Sequence, residues 1–515
     1  MPNEIELKLR IAAADVLRLR RHPAIRQHLV GKCITHKLTS IYFDTPDLKL
    51  LDAAISLRVR RMSGHWFQAV KAAGHSLAGL HQRMEWEDII ASGEPDFTKI
   101  TKPGLAKIFA RQSLRDALRS IFITDVQRTE WPLEYADGSA VEVALDLGEI
   151  QLGELQLGEL QTGKKAEPIQ EVELELKRGK ATHLFKLALA LQADIPLHIE
   201  NISKAQRGYA YYRPQAPAIF KARAVELSPK MSADQAFRQI AWECLRQLLG
   251  NQDMVLHGDD PEGVHQMRVG LRRLYVAIKL FKCETTEIRN ELDWLSTQLG
   301  SARDWDVLLH TTLPDALNQL QPHSGHSLLQ QRVTAANKRA YARLRQALNS
   351  QRHQRLQLSL GAWLASFSHS PDTKVLKLAN RRLQQSYSKL QQFGENLGES
   401  DPKQLHKLRI EAKYLRYATE FFVPIYHTRK KPDKGQNKTQ PFVDRLERLQ
   451  EELGLLNDIN VTGTLIQQLA SRQTNPEISE ATSLMLEWNT TRATQPLEQM
   501  HKAWQDFAEA QIFWN

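Results

Sequence analysis

The sequence predicts an α+β protein, with a strand-rich first part followed by an all-α second part. Three observations lead there. Charged residues recur at spacing two through residues 1 to about 210, which is the period of a β-strand. From about residue 230 the apolar period becomes helical. The chain is 515 residues long, more than one ordinary domain.

The strands follow in order. Glu4, Glu6 and Lys8 share one face of the first, with Ile5 and Leu7 on the other. Two adjacent carboxylates repel unless a cation lies between them, and the lysine beside them calls for an anion. A divalent metal ion with a phosphate chain satisfies all three groups, and a solvated strand face is the simpler alternative. The pattern recurs, however. Arg58 and Arg60 alternate with Leu57 and Val59, while Arg83, Glu85 and Glu87 stand opposite Met84 and Trp86. Glu142 and Asp146 alternate with Val141, Val143, Leu145 and Leu147, and Glu171, Glu173 and Glu175 with Val172, Leu174 and Leu176. In an open sheet such faces meet water. In a closed barrel wrapped by other structure they line a polar tunnel, and the apolar faces pack outward. A tunnel holding both signs of charge suits metal-bound polyphosphate.

Helices are expected at 11–29 and 181–193. The five-residue unit at 147–161, L-G-E-I-Q followed by two copies of L-G-E-L-Q, reads as an expanded hairpin or loop, so Glu154 and Glu159 are not counted as ligands. Residues 211–228, with Pro214 and Pro217, read as a linker. Beyond it, 236–249, 264–274 and the basic stretch 329–350 have helical periods. This part repeats itself. His265, Arg268 and Arg272 are echoed by His406, Arg409 and Lys413, and the segment 294–307 by 448–461. Asp304 corresponds to Asp458, and Asp306 to Asn460, so equivalent chemistry in both copies is in doubt.

Residues 1 to about 210 resemble a CYTH domain of the triphosphate tunnel metalloenzyme family. The resemblance rests on E-I-E-L-K at 4–8, Y-F-D-T-P-D at 42–47, L-R-V-R at 57–60, Lys71, H-Q-R-M-E-W-E at 81–87, Arg128, V-E-V-A-L-D at 141–146, E-V-E-L-E-L at 171–176 and S-K-A-Q-R-G at 203–208. It implies an eight-stranded antiparallel barrel forming a tunnel, and cleavage or rearrangement of triphosphates with Mg2+ or Mn2+. Residues from about 230 to 515 resemble a CHAD domain, which implies two four-helix bundles related by a pseudo-twofold. The expected organisation is thus 1–210 tunnel domain, 211–228 linker and 229–515 helical domain with two internal repeats.

A linear triphosphate carries four or five negative charges and needs several inward cations. The candidates are Lys8, Arg58, Arg60, Lys71, Arg83, Arg128 and Lys204, with arginine able to grip two phosphate oxygens at once. Glu4, Glu6, Asp146, Glu171 and Glu173 are the candidate metal ligands, with Glu85 and Glu142 as further possibilities. Lys8, Arg58, Arg60 and Glu85 are the candidate catalytic residues for attack of water on a terminal phosphoryl group, with pyrophosphate leaving. Which carboxylate contacts the water is left open, and Glu175 reads equally as a rim residue. Inorganic triphosphate, thiamine triphosphate and ATP compete as substrate. No signature for an organic group is visible, and the resemblance to CHAD-fused members favours inorganic triphosphate.

On a helix, positions i, i+3 and i+7 share a face. His265, Arg268 and Arg272 form one basic stripe with Arg273 beside it, and His406, Arg409 and Lys413 a second, extended by Arg416. The resemblance implies that they bind inorganic polyphosphate. The alternatives are that these residues tie helices together through acids such as Asp304 and Asp458, or that the two histidines hold a metal. Nucleic acid is a weaker partner, because no recognised motif is present and aromatic residues are not interleaved with the stripes.

Net charge supports this division. The chain carries +10, with 69 Lys+Arg against 59 Asp+Glu, and most of the excess lies beyond residue 210. Cys33, Cys244 and Cys283 are too sparse for a disulfide framework and form no metal-type pair, so a reducing compartment is expected. No apolar run approaches a membrane span and no signal peptide precedes the first strand, so the expected location is cytoplasmic. Two function classes remain, a metal-dependent triphosphatase and a polyphosphate-docking protein with an inactive tunnel.

Overall fold

The computed structural model describes residues 3–152, 155–156, 159–160, 166–369, 372–395, 402–427, 439–471 and 475–514. The chain forms two compact units. One comprises residues 1–216 and 350–366, the other residues 217–349 and 367–515.

The first unit is built on strands β1 (Asn3–Ile11), β2 (Ile34–Asp44), β3 (Ile55–Met62), β4 (His65–Leu77), β5 (Leu80–Ile90), β6 (Arg119–Glu134) and β7 (Ala140–Leu152). The short β8 (Leu155–Gln156) and β9 (Glu159–Leu160) pair with each other, and β10 (Ala166–Arg178) and β11 (Leu197–Ile199) follow. The sheet order is β10-β7-β6-β2-β3-β4-β5-β1-β11, and β1 also pairs with β10. That last pairing closes eight strands into a ring, the barrel expected, with three-residue β11 added alongside β1. The closing register sets Lys8 opposite Glu173 and Arg10 opposite Glu171. Two-residue turns join β3 to β4 and β4 to β5 through Ser63-Gly64 and Ala78-Gly79. All four residues have positive φ, as a hairpin twisted to match its strands requires.

The outward faces are covered as the alternation predicts. Leu7, Leu9, Val172 and Leu174 are fully buried, and helix Thr182–Asp194 lies on β1 and β10. Ile41, Leu57, Val59 and Val70 pack with Leu105 and Phe109 of helix Pro103–Phe109. Each such side chain contributes about 1.5–3 kcal/mol of burial free energy. The segment 11–29 is not one helix. It holds the short helices Val16–Arg20 and Pro23–Arg26, because Pro23 cannot continue the first and starts the second. In the L-G-E-L-Q repeat the first copy finishes β7, while the side chains of 153–165, including Glu154 and Glu159, lie outside the described residues.

Helix Gln351–Ala365, from deep within the helical sequence, belongs to this first unit. It packs on helix Thr182–Asp194 and on β11. Leu356, Leu360 and Leu364, one turn apart, are buried, and Gln354 Oε1 accepts the Ile199 amide at 2.9 Å. Gly361 meets the Phe185 ring, where a Cβ would fall 2.2 Å from the nearest ring carbon.

The second unit is helical. Its long helices are Ala233–Gly250, Glu262–Phe281, Thr286–Val307, Gly325–Leu348, Val375–Glu395, Pro402–His427, Gln440–Ala470, Pro476–Thr491 and Thr494–Ala508. Ser232 and Gln235 form a capping box, and Thr285 and Asn475 cap the helices they precede. Gly270 allows Glu262–Phe281 to approach Ala233–Gly250 closely, since a Cβ there would lie 2.7 Å from the Leu248 nitrogen. The expected linker is partly absorbed here. Asn251 exchanges two hydrogen bonds with the Phe220 backbone, the Phe220 ring lies against Gly250 at the end of the first helix, and Val225 and Leu227 are buried. Among the described residues no helix is long and apolar enough to cross a membrane.

Candidate functional site

Period-two alternation brings the charged residues of six strands into the barrel interior. One cavity is lined by Glu4, Glu6 and Lys8 of β1, Arg58 and Arg60 of β3, Lys71 of β4, Arg128 of β6, Asp146 of β7, and Glu173 and Glu175 of β10. Ser40, Tyr42 and Thr124 join them, as do Ser203 and Lys204 from the start of helix Lys204–Tyr212. That helix closes one end of the barrel over an apolar cluster of Tyr42, Phe122, Val126, Ile150, Ile169 and Tyr209. The interior is therefore a charged cavity with an apolar floor.

The charges fall into two groups. In the deeper one, Lys204 Nζ lies 2.7 Å from Asp146, 2.9 Å from Glu171 and 2.8 Å from Glu173. Lys8 Nζ is 2.8 Å from Glu6 and also donates to Glu173. Arg128 forks onto Asp146 and reaches Glu173. In the other group, Lys71 Nζ bridges Glu4 at 2.7 Å and Glu85 at 3.0 Å, Arg58 donates to Glu85 at 3.0 Å, and Arg60 stands 3.8 Å from Glu87. Arg83 is opposite Glu4 in the β1–β5 register, and its side chain lies outside the described residues. Glu175 and Glu142 share Lys177, at 2.8 and 3.0 Å, and are more exposed than Glu171 or Glu173.

Burial and charge pull these acids apart. Burial raises Glu171 to about 7 despite Lys204 and Lys8. Burial also opposes ionisation of Glu173, but Lys204, Lys8 and Arg128 outweigh it and hold that carboxyl well below the usual range. Asp146 is likewise lowered, against burial, by Arg128 and Lys204. Burial raises Glu4, with Lys71 only partly offsetting it, whereas Lys71 and Arg58 together overcome the burial of Glu85 and hold it at about 2.

A hard divalent ion fits the donor chemistry, since Glu4, Glu6, Asp146, Glu171 and Glu173 offer only carboxylate oxygens. Glu171 Oε2 is buried and accepts no hydrogen bond, which leaves a lone pair available. Among the described residues, no three His, Cys, Asp or Glu side chains converge on one point as a preformed metal site. The carboxylates instead grip Lys8, Arg128 and Lys204.

In the helical unit the two stripes meet. Lys413 of Pro402–His427 lies in the field of Arg268 and Arg272 of Glu262–Phe281, and of Arg409. Burial first, then Arg272 and Arg409, push Lys413 down to about 7. Asp304 and Asp458, the duplicated acids, sit among these cations and act on one another, with Arg268 Nη1 at 3.3 Å from Asp304. Arg409 Nε is buried without a hydrogen-bond partner. Burial lowers His265, with Arg303 beside it, and His406 is exposed. Arg303 belongs to neither stripe in the sequence, and its place next to Asp304 is the signal that could have found it.

Arg273 turns away from this cluster, and Arg416 is engaged by acids. Arg273 is buried, donates to Gln247 at 2.9 Å, and stands 3.8 Å from Glu420 and over the Phe421 ring. Arg416 pairs with Glu420 at 2.8 Å and Glu447 at 3.4 Å. One residue beyond Arg272 turns about 100° around the helix, which takes Arg273 off the shared face.

Comparison with known proteins places a CYTH domain at residues 2–209 and a CHAD domain at 239–467. The chain is 31% identical over 210 residues to an inorganic triphosphatase of Haemophilus influenzae, a match covering 41% of this chain and 55% of that protein. It is 27% identical over 259 residues to an uncharacterised protein of Mycobacterium tuberculosis, covering 47% and 45%. The chain thus spans about half the length of the curated relatives it matches. The crystal structure of the CHAD domain from the plant Ricinus communis is similar at a TM-score of 0.50 and 32% identity, covering 56% of this chain and 97% of that one.

Proposed function

We propose that this chain, a CYTH domain followed by a CHAD domain, hydrolyses inorganic triphosphate to pyrophosphate and phosphate with a divalent metal ion, and binds inorganic polyphosphate through its helical unit. The charge balance of the cavity carries the first part. Eight carboxylates (Glu4, Glu6, Glu85, Glu87, Asp146, Glu171, Glu173, Glu175) are matched by eight described cations (Lys8, Arg58, Arg60, Lys71, Arg128, Lys177, Lys204, Arg207), so every cation is already engaged by an acid. Such a cavity cannot hold a tetra- or penta-anion unaided, and divalent ions on the carboxylates would free the lysines and arginines for phosphate oxygens.

Glu4, Glu6, Asp146, Glu171 and Glu173 would hold Mg2+ or Mn2+, which supplies charge neutralisation at the phosphate chain. Arg58, Arg60, Lys71, Lys8, Arg128 and Lys204 then bind and orient the phosphoryl groups, which is most of what a loose phosphoryl-transfer transition state needs. Glu85, which holds Arg58 and Lys71 between strands, would position those two cations and orient water. Inorganic triphosphate is favoured over ATP or thiamine triphosphate because the cavity floor is filled by Tyr42, Phe122 and Tyr209.

The basic cluster around Lys413, with its unpartnered Arg409 Nε, supports polyphosphate as the second ligand. His265, Arg268, Arg272, His406, Arg409 and Lys413 would line that site, with Arg303 added and Arg273 and Arg416 set aside. The unpaired cysteines, two of them buried, support a reducing, cytoplasmic setting.

The deciding experiment is phosphate release by the full chain given triphosphate, ATP, thiamine triphosphate or long polyphosphate, with and without Mg2+ or Mn2+. Metal-dependent hydrolysis of triphosphate alone is the expected result. The carboxylates already bound to lysine and arginine favour a second reading, a polyphosphate-docking protein with an inactive tunnel, and no turnover on any substrate would select it.

A further inference from the structure

The S-K-A-Q-R-G segment gives the cavity Lys204, and it also contains a glycine that the chemistry does not use. Helix Lys204–Tyr212 starts at a capping box of Ser203 and Gln206, and Lys204 is its first residue. Gly208 comes one turn later, on the same helix face. It lies against Phe122 of β6, where a Cβ would fall 2.1, 2.3 and 2.4 Å from three ring carbons. The ring has nowhere to go. It is fully buried, stacked on Tyr42 at 4.5 Å between centroids, and met edge-on by Tyr209 at 5.2 Å.

We propose that the Gly208–Phe122 contact is a positioning element that sets how far the Lys204 ammonium reaches among the cavity carboxylates, and so how it meets the substrate; this rests on the triphosphate reading of the cavity. A close-packed interior does not absorb an added methyl group without movement. A methyl at 208 lifts the helix off the ring, and because 204 and 208 share a face the displacement reaches Lys204 directly. The ammonium then withdraws from Asp146, Glu171 and Glu173, which it now holds at 2.7–2.9 Å.

The test uses the full chain carrying Gly208→Ala, Lys204→Ala, both together, and Gly208→Ala with Phe122→Leu. Gly208→Ala is expected to lower kcat/KM for triphosphate at least about tenfold, the scale of a misplacement near 1 Å. The double variant with Lys204→Ala should be no slower than Lys204→Ala alone, and Phe122→Leu should restore most of the loss by making room for the methyl. A merely structural role would instead multiply with Lys204→Ala. Acylation of Lys204 by acetic anhydride, read by mass spectrometry without substrate, gives a second measure. Labelling should be low in the native protein and several-fold higher in Gly208→Ala.

If the native protein turns over no triphosphate, the reading of the cavity fails and the labelling alone judges the contact. Unchanged labelling and unchanged kinetics in Gly208→Ala would overturn the proposal. Should that variant not fold, Phe122→Leu in the native background loosens the same contact, and Lys204 labelling equal to that of the native protein would overturn it as well.

Discussion

Arg128 and Asp146 stand directly opposite one another on β6 and β7, joined by two parallel hydrogen bonds, Nε to Oδ1 at 2.7 Å and Nη2 to Oδ2 at 2.6 Å. The fork matches the Asp146 carboxylate and would match two oxygens of one phosphoryl group equally well. Arg128→Lys keeps the charge and loses the fork. It should raise KM for triphosphate about tenfold or more, with the fold and the metal requirement retained. Steady-state kinetics at several Mg2+ concentrations would check this, and an unchanged KM would mean that Arg128 serves only Asp146.

Glu4→Ala with Glu6→Ala removes two candidate metal ligands from β1 and leaves the helical unit untouched. Turnover of triphosphate should fall at least about a hundredfold, with polyphosphate affinity within about twofold of native. Phosphate release and isothermal titration would measure the two. Loss of both functions together would show that they cannot be separated.

If the helical unit binds polyphosphate as proposed, Lys413 should make that binding depend on pH. Its folded value is lowered from 10.5 to about 7, so between those values the empty folded site carries fewer protons than the unfolded chain, and folding stability rises with pH across that window. A bound polyanion offsets Arg268, Arg272 and Arg409 and returns the proton. Affinity should therefore fall as pH rises from 7 to 9, with proton uptake visible in buffers of different ionisation enthalpy. Lys413→Arg, charged throughout, should be nearly flat over that range. Equal pH slopes in the two proteins at fixed salt would refute the assignment.

Gly361→Ala tests the helix at Gln351–Ala365. A Cβ 2.2 Å from the buried Phe185 ring must move one of them, at a cost of about 1–3 kcal/mol. For a unit of this size that is a fall of about 2–12 °C in Tm. Calorimetry of the full chain should show it as a lowered transition relative to the native protein. An unchanged Tm there would mean that the helix adds little to the barrel.

The period of two made much of the barrel legible. Glu4, Glu6, Lys8, Asp146, Glu171 and Glu173 converge because alternation alone assigns them to one face, and the duplicated His-x2-Arg stripes were visible for the same kind of reason, a helical period. What stayed hidden depends on tertiary contact. Glu171 and Glu173 look alike in sequence, and only their neighbours push one up and the other down. Arg273 looks like Arg272 until the turn of the helix carries it inward. Nothing local in Gly208 announces Phe122, which is 86 positions earlier in the chain. Residues 350–366 have an ordinary amphipathic pattern, and a pattern does not say which surface the helix will cover.

That last helix also dictates a timetable. As the chain leaves the ribosome, the barrel strands are complete near residue 200, yet the apolar surface under Leu356, Leu360 and Leu364 has no cover until residue 366 is made. At about 5–20 residues per second this is a wait on the order of ten seconds. Throughout it the nascent domain presents the bare Phe185 side of its outer helix to the cell. A chaperone that shields short apolar patches would have its natural moment on this protein during that interval, before the first unit is sealed by a segment of chain that is borrowed from the second.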